Sequence, residues 1–139
     1  MPSFKIFDIA GSGLSAQSVR LNTVASNLAN ADSVSGDPSR VYKARHPVFE
    51  AVRASLGAQP QDSNPAVRVL GIRENTAEPA ARYEPGNPLA DAKGYVYAPN
   101  VNVVEEMVDM ISASRAYQNN VEVLNTSKEL MLATLKLGQ

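Results

Sequence analysis

Residues 102–138 read "NVVEEMVDMISASRAYQNNVEVLNTSKELMLATLKLG", a stretch without proline whose period decides the fold. Val103, Met110, Tyr117, Leu124 and Met131 recur at every seventh position. Met107, Ser114, Val121, Lys128 and Leu135 form a second series four residues on from the first. Such a pattern predicts a helix with an a/d seam. Asn102 is placed to cap its start, with Glu105 three residues later as in a capping box. Glu105, Glu106 and Asp109 suit the positive end of the helix dipole, and Lys136 with Gly138 suits the other end. A helix of about 35 residues extends ~50 Å. That is long for a globule of 139 residues and natural for a rod or bundle.

The positions between the seams carry Arg115, Gln118, Asn119, Asn120, Asn125, Thr126 and Ser127. A helix packed on one side only usually fills such positions with Lys and Glu. Neutral amides and hydroxyls bond to several neighbours without the desolvation cost of a buried charge. This composition therefore fits a helix surrounded by other helices. The competing reading is an ordinary antiparallel hairpin with a polar outer face.

The opposite end of the chain repeats the pattern. Phe7, Leu14, Leu21 and Leu28 make one heptad series; Ala10, Val24 and Ala31 make the other, which Gln17 interrupts. Ser3 is a candidate cap, and "NLANADS" a candidate end. Gly11 and Gly13 weaken the start, each by ~1 kcal/mol relative to Ala. Eight of the nine prolines lie between residues 38 and 99, so the two flanks are free to be helical. Between them, "RVYKARHPVF" alternates and ends at a proline, "AVRVLGIRE" alternates, and a strand is expected from Tyr95 to Tyr97 after a Pro85-Gly86 turn. "SLGAQPQDSNPA" reads as a flexible link, exposed enough to accept an insertion at residues 59–62.

The expected fold is mainly α with a small β part. Long N- and C-terminal helices (1–34 and 101–139) form an antiparallel coiled coil, and residues 35–100 form a strand-rich, loop-rich middle on the outside of an assembly. Two heptad helices cannot close a four-helix core alone, so other chains are the expected partners. Alone, the chain is expected to be monomeric with poorly ordered ends. The expected assembly interface is Leu14, Leu21, Leu28, Met107, Met110, Tyr117, Val121, Leu124, Met131 and Leu135.

Composition excludes much else. A net charge of −1 gives no electrostatic ground for binding nucleic acid or an anionic membrane. With no Cys there is no disulfide and no thiolate chemistry. Asp8 and the glycines after it break any secretory h-region, so the chain is expected to stay in the cytoplasm or to leave it without a cleaved signal. "GSGLSA" at 11–16 lacks the third glycine of a dinucleotide fingerprint and the lysine of a phosphate loop. His46, the single histidine, has no motif joining it to Asp37 and Ser39 as a triad. Glu105 and Glu106 are adjacent and point to different sides of a helix, so cap and dipole duty accounts for both. Met107, Met110 and Met131 read as gap-fillers between helices. No enzyme activity, cofactor, metal or small-molecule substrate is expected.

Three stretches carry a resemblance. "SGLSAQSVRLNTVASNLANADS" (12–33) resembles a signature in which a helix ends at Asn-Leu-Ala-Asn-Ala. "GYVYAPNVNVVEEMVDMISASRAYQNNVEVLNTSKELM" (94–131) and "YEPGNPLADAKGY" (83–95) follow the same family, with Asn87 where a histidine is expected. The family is that of the bacterial flagellar basal-body rod proteins, closest to its proximal-rod members. The resemblance implies passage through the flagellar type III export apparatus and assembly in the periplasm into a helical tube that transmits torque. It also implies copies of itself, other rod proteins, and adaptor subunits and motor-ring proteins at the rod base as partners. The alternative is a soluble coiled-coil adaptor or export chaperone, which would bind a client and stop at small oligomers.

Overall fold

A computed structural model describes residues 2–52 and 66–137, with side chains from residue 5 to residue 136. The order is α1 (Pro2–Ala29), β1 (Arg45–Val52), β2 (Ala66–Glu74), β3 (Ala80–Tyr83), β4 (Tyr95–Ala98) and α2 (Val103–Leu137). The 55–66 link with its insertion site, the Ser3 side chain and Gly138 fall outside the described residues, apart from Ala66 at the start of β2.

Helix α1 tolerates Pro2 because the first turn has no use for its missing N–H. Its end is closed by amides. Asn30 N–H bonds to the carbonyls of Ser26 and Asn27, both at 3.2 Å, and Asn30 Nδ2 returns to Ser26 O at 2.8 Å. Asn102 does cap α2: its Oδ1 accepts from Val104 N at 3.1 Å and from Glu105 N at 3.5 Å. Among the described residues, no helix is long and apolar enough to cross a membrane.

The middle forms two separate two-stranded antiparallel sheets, β1–β2 and β3–β4. Strand β2 coincides with "AVRVLGIRE". Strand β1 differs from the expectation: it starts at Arg45 and runs through Pro47 to Val52. With one partner only, β1 has an open side on which the absent proline N–H removes no ladder bond. The register steps between Val48↔Gly71 and Phe49↔Val69, leaving Leu70 unpaired in a bulge. The turn from Glu84 to Gly94 is held by side chains. Asn87 Oδ1 accepts from Leu89 N at 3.0 Å, and its Nδ2 donates to Glu84 Oε2 at 3.0 Å. An asparagine thus serves this turn as an Asx cap. Gly94 has φ of 83°, a conformation that favours glycine.

The core is made of small residues. Ala10, Ala16, Val24, Val41, Ala44, Val96, Ala98 and Ala113 are buried, and no Leu, Ile, Phe or Met among the described residues joins them. The helices run antiparallel, since Asn27 near the end of α1 meets Glu106 near the start of α2, while Gly13 lies against Asn120. The β1–β2 hairpin packs on α1, where Ser12 Oγ accepts from Val67 N at 3.1 Å.

Candidate functional site: the helix pair and its buried junction

Three side-chain meetings fix how the helices pair. Gly13 faces Asn120, Arg20 is bonded to Asp109 at 2.6 Å, and Asn27 Nδ2 donates to Glu106 Oε1 at 2.8 Å. On α2 a line of buried and half-buried residues runs through Glu106, Met110, Ala113, Asn120, Leu124, Ser127 and Met131, with Asp109, Ser114 and Ala116 half-buried beside it. Its steps of four and three are heptad steps, and Tyr117, 38 % exposed, lies on the same line.

The series Val103, Met110, Tyr117, Leu124 and Met131 has its second, fourth and fifth members half-buried, while Val103 is 43 % exposed and Tyr117 38 %. Its companion is not the one expected. Glu106, Ala113, Asn120 and Ser127 fill the second series, one residue before Met107, Ser114, Val121 and Lys128. Met107 is 54 % exposed and Leu135 64 %, with Val121 at the exposed margin. A 3.5-residue period is satisfied by either of two adjacent lines, and the partner helix chooses between them. Here α1 offers Gly13, Arg20 and Asn27, which need close approach and polar partners. On α1 itself, Leu14, Leu21 and Leu28 are half-buried while Ala10 and Val24 are buried.

Gly13 marks the closest approach. A Cβ placed there would stand 2.9 Å from Asn120 Nδ2, the movable end of an amide. Gly13→Ala is expected to stay within ~1 kcal/mol of the parent, because the helix-propensity gain offsets the displaced amide. Gly13→Leu is expected to lose about 1–3 kcal/mol through overpacking, as measured by thermal unfolding of both variants.

At the other end lies a junction that binds three elements. Asn27 is 0 % exposed. Its Oδ1 accepts from Arg45 N and Tyr42 Oη, both at 2.9 Å, and its Nδ2 donates to Arg45 O and Glu106 Oε1, both at 2.8 Å. Every hydrogen-bonding position of the amide is used. The two bonds to Arg45 imitate a backbone pairing and moor the first residue of β1 to α1. Tyr42 Oη also lies 3.2 Å from Ser26 Oγ.

Glu106 corrects the reading of the adjacent glutamates. Glu105 is exposed near the capped end, whereas Glu106 is only 4 % exposed and points into the junction. Its Oε2 has no hydrogen-bond partner. Burial raises its pKa above the ordinary carboxylate value; the Asn27 bond and the His46 charge oppose the shift, and Asp109 and Glu105 add to it. Sequence reasoning missed Asn27, Tyr42 and Glu106 because nothing in a residue type distinguishes a buried amide or carboxylate from a solvated one. The signal available was the Asn-Leu-Ala-Asn-Ala motif, which begins at Asn27.

The residues weighed for chemistry are placed otherwise. Asp37 Oδ1 accepts from Ser39 N at 2.8 Å and Oγ at 2.7 Å, a local loop turn. His46 sits exposed on β1. Of the amides on α2, Asn120 is half-buried, while Gln118, Asn119 and Asn125 are exposed.

Part of what remains uncovered on α2 is apolar. Val104 is 70 % exposed, Val108 60 %, Ile111 55 % and Leu130 65 %. A shallow groove on α2 runs over Val108, Ile111, Ser112, Arg115, Ala116 and Asn119. A monomeric helix normally turns such residues inward and keeps its outer face polar.

Known proteins resemble this chain in sequence. Residues 7–36 match the family described as "Flagella basal body rod protein", and residues 92–137 match "Flagellar basal body rod FlgEFG protein C-terminal". The chain is 58 % identical to the flagellar basal-body rod protein FlgC of Yersinia enterocolitica over the full length of both. It is 57 % identical to that of Escherichia coli O157:H7, again over the full length of both. Identity to the Aquifex aeolicus (strain VF5) protein of that name is 40 %, over 98 % of this chain and 97 % of its relative. The chain belongs to the flagellar basal-body rod protein FlgC family.

Proposed function

We propose that this structural subunit of the flagellar basal-body rod builds the rod by laying the outer faces of its paired helices against neighbouring subunits. The supporting observation is the uncovered apolar surface of α2, where Val104, Met107, Val108, Ile111, Leu130 and Leu135 are each more than half exposed. Fully burying one such side chain contributes about 1.5–3 kcal/mol. A few of them at each contact are enough to drive assembly of a chain whose own core is alanine and valine.

In this reading the helix pair becomes a coiled coil in the tube wall, and Leu14, Leu21, Leu28, Met107, Met110, Tyr117, Val121, Leu124, Met131 and Leu135 supply its seams and contacts. Met107, Val121 and Leu135 serve the contacts between subunits, and the half-buried residues serve both. Residues 35–100 lie towards the outside. The neighbours are copies of this chain, other rod proteins, and adaptor and motor-ring subunits at the rod base. The chain arrives through the flagellar type III export apparatus and acts in the periplasm.

The absence of cysteine permits a direct test. Val108→Cys places a single thiol on the exposed line of α2. A short bifunctional thiol–amine reagent should link it to neighbouring rod subunits in purified basal bodies. The dilute isolated chain, monomeric in this reading, should stay unlinked. Equal labelling without cross-links in basal bodies would remove α2 from the contact. A soluble adaptor or chaperone would instead link to a client and be absent from basal bodies.

A further inference from the structure

Glu106 is the one buried ionisable side chain among the described residues, and it sits where α1, α2 and the start of β1 meet. We propose that the Asn27–Glu106 junction is a proton-sensitive latch, closing α2 and β1 onto α1 when the Glu106 carboxyl is neutral and loosening them when it is charged. This is a property of the single folded chain and does not rest on the rod contacts proposed above.

The geometry supplies the reason. One carboxyl oxygen has a single amide donor, and the other has none. A buried carboxylate held by one neutral hydrogen bond is poorly compensated, whereas the neutral acid has far less to lose from burial. The surroundings add to the imbalance. From α1, Asn27 is uncharged, and the guanidinium of Arg20 is engaged by Asp109 at 2.6 Å. From α2, Asp109 and Glu105 are both acidic and oppose a further negative charge. From β1, His46 favours the charged form, while Arg45 bonds to Glu74 at 3.2 Å and lies over the Tyr42 ring at 5.6 Å.

The sign follows from linkage. The folded junction holds the Glu106 proton more tightly than the unfolded chain does. Closure is therefore strongest at and below the ordinary carboxylate value of 4.5 and is lost as pH rises through the raised folded value. Asn27 links this carboxyl to the Arg45 amide, so the state of the latch can be read there.

Two measurements on the full-length chain test it: carbon-detected NMR titration of the Glu106 carboxyl, and amide exchange at Arg45 between pH 5 and 7.5. The carboxyl should titrate above the ordinary range. The exchange-derived opening constant of Arg45 should rise with pH, by about tenfold for each unit of that displacement. Glu106→Gln keeps the acceptor for Asn27 and should make the opening constant independent of pH. His46→Gln should leave the dependence in place. A Glu106 carboxyl titrating in the ordinary range overturns the latch, whether the chain is closed or frayed. So does an unchanged slope in Glu106→Gln, or a slope abolished by His46→Gln.

Discussion

Cells carrying Leu124→Asp should secrete the subunit at normal levels, build no rod and fail to swim. Leu124 is half-buried on the line of α2 that includes Met110, Ala113 and Asn120. Truncating a buried leucine costs about 2–5 kcal/mol, and an unpaired carboxylate adds its own desolvation. In a polymer the same defect recurs in every subunit. A loss of even ~2 kcal/mol at each contact weakens each association more than tenfold. On the proposed export route secretion should persist, because a chain threaded through unfolded would need no packing. The assay is immunoblotting of secreted protein beside electron microscopy of basal bodies. Swimming cells with intact rods containing Leu124→Asp would show that this line does not hold the assembly together.

Asn27→Ala should be the most damaging single change within the folded chain, at about 3–5 kcal/mol. It leaves the Arg45 N–H and C=O, the Tyr42 hydroxyl and Glu106 Oε1 without the partner each now has. A buried polar group deprived of its bond costs about 1–3 kcal/mol, and admitted water recovers only part of that. Asn27→Asp should be no milder, since it sets a second carboxylate against Glu106 and removes the Nδ2 donors. Urea denaturation of the full chain gives the loss, and amide exchange at Arg45 should report the released start of β1. A change below about 1 kcal/mol would show that the junction is dispensable to the fold.

Both variants concern the same helices, yet only one position could be chosen from the sequence. The heptad series through Leu124 is visible in the residues, because apolar spacing reflects helical geometry directly. So are the Asn102 cap, the amide-rich end of α1 and the β2 strand, each set by interactions within a few residues. The rod-family motifs were equally local, being contiguous stretches in the two flanks and the 83–95 turn.

Tertiary structure decided the rest. It buried Ala113 and half-buried Asn120 and Ser127 beside Leu124 while leaving Val121 and Lys128 exposed, because α1 presents Gly13, Arg20 and Asn27 to that side. It carried β1 through Pro47, because a two-stranded sheet leaves one side open. It also turned Glu106 inward and left Glu105 outside, a distinction that composition cannot make between neighbours of the same type. Periodicity states that a helix has a face to bury. Which of two adjacent faces is buried within the chain, and which is left exposed, depends on the shape and polarity of residues distant in sequence.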